Sequence, residues 1–306
     1  MKVHIGIVTW NRLSLTKLCL ESLLTKTKDN FTCTVVDNGS HDGTVEYLLH
    51  RAECTPNLTV RLLSRNMGVS VASNLAWDDG KDCDYFIKLD NDIEICDGNW
   101  LGRLVQLART NPSLGPLGYQ VYSRHTGSEK TLADGTRILA VPCCNGACAC
   151  ISHALHEQLG YWNESYGLYG YEDLEYSWRA LQVGSQPVYL KTDGKTVLIH
   201  HGEDPQRIDR QIETVKKTSW TSASHGTRAY LLHLFLFEKG LLPLKMERKY
   251  LPQEVDGVYR FTLNPAHKKI QRLVQQLSKT VRITQDGEIS HLDLSAWMSS
   301  HDSLSG

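Results

Sequence analysis

Residues 3–122 alternate short apolar runs with amphipathic segments, and this alternation constrains the fold more than any other feature of the chain. The apolar runs cover residues 3–8, 34–36, 58–63 and 85–89. The amphipathic segments cover residues 13–24, 44–49, 69–77 and 100–108. Strand and helix patterns repeated in this order are typical of a parallel sheet with helices on its faces. The sequence therefore predicts an α/β fold with a mostly parallel sheet.

The pattern becomes mixed after residue 117. Up to residue 202 it predicts a turn near Asp134-Gly135, a cysteine-rich strand over 143–151, an aromatic loop over 160–171, a helix from Glu172, and strands near 188–190 and 197–200. Later segments predict helices over 227–237 and 266–277, and a small hairpin over 281–284 and 289–294. We place a domain boundary near residue 205, with a first domain over 1–205 and a mainly helical C-terminal extension over 206–306.

Composition narrows the class of protein further. The chain has 306 residues, of which 41% are apolar, and this is enough to build one large core or two ordinary ones. A disordered or collagen-like protein is therefore excluded. Because 33 Lys and Arg residues balance 34 Asp and Glu residues, no general attraction to nucleic acid is expected.

The cysteines, the N-terminus and the apolar stretches indicate the cellular location that we expect for the protein. Nine cysteines form no C-x-x-C pair and predict reduced thiols in a cytoplasmic protein, with Cys148 and Cys150 as small core residues. The N-terminus runs directly into a strand pattern and lacks the features of a secretory signal. The most apolar stretch, residues 229–244, is too short and too polar to span a bilayer. We expect a cytoplasmic protein, either free or peripheral at the inner face of a membrane.

Polar residues follow each of the first four apolar runs. They are Thr9-Trp10-Asn11-Arg12, Asp37-Asn38-Gly39-Ser40, Arg65-Asn66-Met67-Gly68 and Asp90-Asn91-Asp92. Ligands of α/β sheets bind outside the carboxyl ends of the strands, so these segments are expected to meet in one crevice. The two carboxylates of the D-x-D turn suit Mg²⁺ or Mn²⁺ bound together with a diphosphate. The alternative is a solvated acidic turn.

Asp37 follows a strand expected to be buried, where a carboxylate is costly unless it meets hydrogen-bond donors. One such donor is the imide N–H of a uracil or thymine ring. The alternative role for Asp37 is to cap the turn over residues 39–44.

Five segments in order resemble the family 2 glycosyltransferases. They are Ile-Gly-Ile-Val-Thr-Trp-Asn-Arg (5–12), Val-Val-Asp-Asn-Gly-Ser-His-Asp-Gly-Thr (35–44), Arg-Asn-Met-Gly-Val-Ser-Val-Ala-Ser-Asn (65–74), Leu-Asp-Asn-Asp (89–92) and Gly-Tyr-Glu-Asp-Leu-Glu (170–175). The resemblance implies a GT-A fold with a Rossmann-like sheet and a mixed acceptor-side half. It also implies a nucleotide-diphosphate sugar donor, a divalent metal (Mn²⁺ or Mg²⁺) and inversion at the anomeric carbon, and we favour a UDP-sugar.

The resemblance also implies roles for individual residues. Along the donor nucleotide it implies Thr9, Asn11, Arg12, Asp37, Arg65, Asn66, Gly68, Asp90 and Asn91. At the metal it implies Asp92 as the principal ligand, together with Asp90 and either His200 or His201. Because adjacent strand residues face opposite sides, only one of these histidines can reach the metal, and we favour His200.

The resemblance assigns the catalytic carboxylate to Glu172-Asp173. An inverting transfer needs a base that accepts the acceptor's proton, and we favour Asp173 with Glu172 as the alternative. Acids in the first turn of a helix also interact favourably with its N-terminus, and this structural role is the interpretation we prefer for Glu175.

The acceptor is not fixed by the sequence. Trp162, Tyr169 and Tyr171 lie in the aromatic loop and are candidates to stack on a sugar, although packing beneath the loop explains them equally well. A glycan, a lipid-linked saccharide, a peptide, a small molecule and a modified nucleobase all stay open, as does the oligomeric state. The helix around residues 230–237 is interpreted as a docked core helix, with a peripheral membrane or dimer surface as the alternative.

Two other functions compete with glycosyl transfer. A sugar-phosphate nucleotidyltransferase would need a glycine-rich, basic triphosphate loop after the first strand, and residues 9–12 contain no glycine. A non-catalytic nucleotide-sugar or glycan-binding module would not need a base such as Asp173.

Overall fold

The computed structural model describes residues 1–121, 126–202 and 225–280, with the short pieces 214–215, 218, 282–283 and 289–291. The helices are α1 (Leu13–Lys26), α2 (Thr44–Glu53), α3 (Val69–Asp79), α4 (Trp100–Thr110), α5 (His153–Leu159), α6 (Glu172–Gln182), α7 (His225–Glu238) and α8 (His267–Thr280). The first ten strands are β1 (Val3–Thr9), β2 (Thr32–Asp37), β3 (Leu58–Leu63), β4 (Tyr85–Asp90), β5 (Ile93–Ile95), β6 (Leu114–Tyr119), β7 (Ser128–Thr131), β8 (Arg137–Ala140), β9 (Cys148–Ser152) and β10 (Gln186–Leu190). The others are β11 (Leu198–His200), β12 (Tyr250–Val255), β13 (Val258–Leu263), β14 (Arg282–Ile283) and β15 (Ile289–His291).

One large sheet organises the fold. Its strand order is β12-β13-β3-β2-β1-β4-β9-β6-β10-β8-β7. The run from β13 to β4 is parallel, whereas β9 is antiparallel to both β4 and β6. The predicted α/β fold with a mostly parallel sheet and a mixed second half is confirmed. A separate two-stranded sheet pairs β11 with β5 and brings the residues around 200 to the D-x-D turn.

The core lies on both faces of this sheet. Strand β1 is buried along nearly its whole length, and α1 packs Leu20 and Leu23 into the same cluster. Cys148 and Cys150 are 1% and 0% exposed in that cluster, which confirms them as small core residues. The cysteine-rich strand begins at residue 148 rather than at 143, because Asn145 accepts a hydrogen bond from the Ala147 amide and forms a turn before the strand.

The chain after residue 225 contributes to the sheet as well as adding helices. Strands β12 and β13 form a hairpin around Asp256-Gly257, both with positive φ, and β13 pairs in parallel with β3. An Asp-Gly pair between strand-like runs is a hairpin signal, but no hairpin was predicted at this position. Strands β14 and β15 pair antiparallel as predicted, but their turn and the boundary near residue 205 lie outside the described residues.

Arg248 ties this later segment to the first domain. Its guanidinium is buried, contacts Glu164 at 3.2 Å and pairs with Asp78 of α3. Helices α7 and α8 pack together through Leu232, Leu236 and Leu277. Within the described residues, every helix is too short or too polar to cross a lipid bilayer.

Candidate active site

A cleft that opens to solvent lies between the carboxyl ends of β1 and β4, the start of α6 and strand β11. Nine of the predicted site residues line it. They are Arg12, Asn66, Asp90, Asn91, Asp92, Tyr169, Glu172, Asp173 and His200. The cleft therefore joins the D-x-D turn to the Glu172-Asp173 pair, which lie about 80 residues apart in the sequence.

Each carboxylate of the D-x-D turn faces a basic side chain. The Lys88 ammonium donates to Asp90 Oδ1 at 2.8 Å. The Arg12 guanidinium lies 3.0 Å from Asp92 Oδ2, and the His200 imidazole Nε2 lies 3.4 Å from the same oxygen. Arg12 reaches this position from a left-handed backbone conformation (φ 63°) at the start of α1. The interpretation of this segment as a merely solvated acidic turn does not fit, because Asp92 is buried.

The two adjacent histidines face different partners. His200 lines the cleft beside Asp92, whereas His201 Nε2 lies 3.0 Å from Glu94 Oε2 outside it. His200 is the last residue of β11 and His201 follows it directly, and neighbouring residues of an extended segment point to opposite sides.

The start of α6 presents Glu172 and Asp173 to the cleft. Tyr171 precedes them with a positive φ and caps the helix without a side-chain hydrogen bond, so the N-terminus of α6 favours nearby negative charge. Asp173 Oδ2 accepts a hydrogen bond from the Gly146 amide at 2.7 Å. Burial, followed by the neighbouring Asp173 carboxylate, raises the pKa of Glu172 to about 8. Burial also raises the pKa of Asp173, although Lys88 opposes that rise.

Glu175, the third acid of this turn, forms a buried ion pair and does not line the cleft. Both of its carboxylate oxygens accept from Arg179 at 2.9 Å, and both side chains are fully buried. Arg179 also donates to the carbonyls of Tyr161 and Leu244.

Lys88 is the main cleft residue that the sequence analysis missed. It lies on β4 two residues before Asp90, on the same face of the strand, and it is only 4% exposed. Burial acts to lower its pKa, but the carboxylates of Asp90, Asp173 and Glu172 outweigh burial and raise it. A lysine within an apolar strand was the available signal, because buried lysines are rare unless they are paired.

Trp10, Asn38 and Asn66 line the cleft near the ends of β1, β2 and β3. Asn38 bonds to the backbone of Met67 and Gly68, and Asn66 accepts from the Gly68 amide at 2.9 Å. Trp10 and Asn38 belong to the polar segments that follow β1 and β2, but they were not predicted as site residues. Arg65 is exposed and does not line the cleft.

Gly68 does not line the cleft itself, but the 160–171 loop packs closely against it and so reaches the cleft. A Cβ at Gly68 would lie 2.3 Å from the Gly167 carbonyl oxygen, so only glycine permits this approach. The Val69 amide then donates to the Leu168 carbonyl at 3.1 Å, and Leu168 and Tyr169 line the cleft.

Several predicted nucleotide residues are engaged with their own loops. The Thr9 hydroxyl contacts the Thr16 hydroxyl and accepts from Asn91, while the Asn11 side chain accepts from the His41 amide. Thr9 and Asn11 do not line the cleft. Asn91 lines it, but its amide group is held by these hydroxyls.

Asp37 is buried and does not line the cleft. Its Oδ2 accepts from the Gly39 and Ser40 amides at 3.1 and 2.9 Å, which is the turn-capping role. Its Oδ1 has no hydrogen-bond partner among the described residues. Burial raises the pKa of Asp37.

The three aromatic acceptor candidates occupy different environments. Tyr169 lines the cleft. Trp162 is 2% exposed and packs edge-on against Trp77 in the core, so no acceptor reaches its face. Tyr171 stacks on Tyr230 of α7 at 4.8 Å, and its hydroxyl contacts Thr227.

The predicted metal residues fit a divalent ion that binds with a diphosphate. Asp92 and His200 bring an oxygen and a nitrogen donor to one point of the cleft. The described residues contain no group of three or more His, Cys, Asp or Glu side chains that forms a metal site from protein alone. Mg²⁺ and Mn²⁺ sites commonly use few protein ligands and complete their shell with phosphate oxygens and water.

The fold is similar to those of solved glycosyltransferases. These include GalNAc-T7 with UDP, GalNAc and Mn²⁺ (TM-score 0.53, 15% identity, 62% of this chain and 41% of that one). They also include the mannosyltransferase PcManGT from Pyrobaculum calidifontis with GDP-Man and Mn²⁺ (TM-score 0.55, 16% identity, 90% of this chain and 69% of that one) and S. aureus TarS (TM-score 0.51, 17% identity, 76% and 43%). The chain thus spans less than half the length of GalNAc-T7 and TarS.

No curated protein matches the chain in sequence. The sequence profile described as Glycosyl transferase family 2 matches residues 4–157, about half of the chain. This range contains the ends of β1 to β4 and the D-x-D turn, which contribute residues to the lining of the cleft. The chain belongs to glycosyltransferase family 2 and has the GT-A fold.

Proposed function

We propose that this protein transfers a sugar from a nucleotide-diphosphate donor, with a UDP-sugar favoured, to an acceptor hydroxyl with inversion. The observation that carries the proposal is that the D-x-D turn and the Glu172-Asp173 pair line one cleft. One group of carboxylates is suited to the donor diphosphate and its metal, and the other is suited to remove a proton. Mn²⁺ in two of the similar structures supports a divalent metal here.

On the donor side, Trp10, Asn38 and Asn66 would bind the base and ribose, and their position in the lining of the cleft supports this role. Asp92 and His200 would hold the metal, with Asp90 beside them. The bound metal supplies a positive charge that stabilises the departing diphosphate. Arg12 adds a fixed cation next to Asp92 and is positioned to approach the same phosphates.

On the acceptor side, Asp173 is the base of a single displacement. Its carboxylate is oriented by the Gly146 amide, and a base of this kind contributes typically about 10²–10⁴-fold to the rate. Glu172 is the weaker candidate, because a pKa of about 8 leaves it mostly protonated at neutral pH. Leu168 and Tyr169 line the cleft and would cover the reacting groups and exclude water.

The nucleotidyltransferase alternative is less favoured. The segment after β1 is short, contains no glycine and bonds to the Ser40 and His41 loop rather than forming an open triphosphate cradle. A non-catalytic module does not account for the Glu172-Asp173 pair beside a buried lysine.

The first experiment measures thermal shifts with UDP, dTDP, GDP, ADP and CDP, each with and without Mn²⁺. Ligands that bind the native state raise the melting temperature. We expect the largest Mn²⁺-dependent shift with UDP and its loss in Asp92→Asn, whereas exposed Asp82→Asn retains it. The absence of a shift with every nucleotide would contradict the donor assignment.

A further inference from the structure

Lys88 lies between the two groups of carboxylates in the cleft. Its ammonium donates to Asp90 Oδ1 and to the Gly146 carbonyl, both at 2.8 Å. The amide of the same Gly146 donates to Asp173 Oδ2. One glycine therefore holds the lysine through its carbonyl and the aspartate through its amide.

The absence of a side chain at residue 146 brings the two charges together. A Cβ built on Gly146 would lie 2.4 Å from Lys88 Nζ and 2.4 Å from Asp173 Oδ1. These two atoms are thus at most twice that distance apart, which is within the range of strong charge interaction. Any larger residue at 146 would push at least one of them away.

The backbone around Lys88 makes room for it and fixes its direction. Lys88 pairs with Gly6 of β1 and with Ala149 of β9, so small residues flank it in the sheet. Since Asp90 follows two residues later on the same strand, the lysine is also fixed relative to the donor side.

We propose that Lys88 is a positioning residue for the transfer reaction, which holds the Asp173 carboxylate at a fixed place through the opening left by Gly146. The inference rests on the proposed function for the role of Asp173 as base. Lys88 acts through Asp173 and Asp90 and links the base to the D-x-D turn.

Other titratable groups also face Asp173. They are Glu172 on α6, Asp90 on β4, Cys143 and Cys144 before β9, Tyr169 before α6 and Tyr189 on β10. Lys88 is the cation among these neighbours, and the anions and thiols act in the opposite direction. Its removal should therefore change the ionisation of Asp173 more than the removal of any one of them.

The test follows the Asp173 carboxyl carbon by NMR during a pH titration of ¹³C-aspartate-labelled protein, with the resonance assigned by its loss in Asp173→Asn. In Lys88→Met we expect the pKa of Asp173 to rise by about one to three units, since an adjacent cation lowers a carboxyl pKa by that amount. Lys88→Arg should stay near the wild type. Exposed Lys81→Met is the matched control and should titrate like the wild type.

Gly146→Ala gives a second measurement that keeps both charged residues. Residue 146 is not among the positive-φ positions, so alanine adds only the intruding Cβ. We expect the Asp173 pKa to rise here too, and this variant decides the question if Lys88→Met does not fold. An unchanged Asp173 pKa in the folded Lys88 and Gly146 variants would overturn the proposal.

Hydrolysis of UDP-sugars by the same variants separates this inference from the proposed function. Lys88→Met should lower kcat at least tenfold and move the acidic limb of the rate profile to higher pH, with partial rescue by Lys88→Arg. A merely structural role would lower the melting temperature without moving the pH profile. If the wild type neither binds UDP nor hydrolyses any UDP-sugar, the proposed function fails, while the carboxyl titration still decides the role of Lys88.

Discussion

The D-x-D turn and the first turn of α6 both present carboxylates to the cleft, but their charges are balanced differently. In the D-x-D turn each carboxylate has its own cation, Lys88 for Asp90 and Arg12 for Asp92. Glu172 and Asp173 share the influence of Lys88, and both have raised pKa values. Carboxylates that are each paired with a cation suit ion binding. Two carboxylates that share one cation are suited to accept a proton, so we expect the two groups to have different roles.

Removal of the proposed base is the strongest test of this comparison. Asp173→Asn should lower kcat for transfer or donor hydrolysis by about 10²–10⁴-fold, because the amide cannot accept the proton. The affinity for UDP with Mn²⁺ should stay within about threefold of the wild type, since this carboxylate is not on the donor side. Steady-state kinetics and calorimetric titration measure the two quantities.

The matched control is Asp82→Asn, at an exposed residue just before β4. It should leave both kcat and the affinity for UDP unchanged. Near wild-type turnover in Asp173→Asn would transfer the role of base to Glu172 or remove it from α6.

The third acid of the α6 turn gives a contrast in stability. Glu175→Gln breaks a fully buried ion pair with Arg179 and should lower the free energy of unfolding by about 3–5 kcal/mol, because an uncompensated buried charge is left behind. Urea unfolding measures this loss. The folded fraction should still bind UDP, since Glu175 does not line the cleft.

Glu157→Gln is the control, because Glu157 also has a partner one helical turn away, His153, but is 59% exposed. This change should alter stability by no more than about 0.5 kcal/mol. Equal losses of unfolding free energy in the two variants would show that the buried ion pair stabilises the fold no more than the exposed one.

The smallest expected effect is a pH dependence of stability at Glu172. Its raised pKa means that the native state retains a proton which the unfolded chain releases, so the stabilisation is complete below about pH 4.5 and is lost as the pH rises through about 8. Glu172→Gln removes this loss. The melting temperature of the variant should lie close to that of the wild type at pH 5 and above it at pH 8.5.

The control is Glu46→Gln, at an exposed residue of α2, and its melting temperature should equal that of the wild type at both pH values. A difference between Glu172→Gln and the wild type that does not change with pH would mean that Glu172 titrates normally in the folded protein.

The parallel half of the fold could be predicted from the amino-acid sequence alone. The apolar runs and amphipathic segments matched β1 to β4 and α1 to α4 to within a few residues, because periodicity reflects which face of each element is buried. The D-x-D turn and the start of α6 at Glu172 were also visible, since both depend on local pattern and on family resemblance. The β12–β13 hairpin was missed although its Asp-Gly turn was present, because its place beside β3 depends on distant pairing.

The contacts between distant side chains depend on how the strands and helices pack. Lys88 and Gly146 are 58 residues apart, and only the antiparallel pairing of β4 with β9 brings them together. The same is true of Trp162, whose loop position suggested acceptor binding but whose ring is covered by Trp77. Local patterns follow from hydrogen bonding and burial within one element, whereas the charges around Asp173 depend on the order in which separate strands pack.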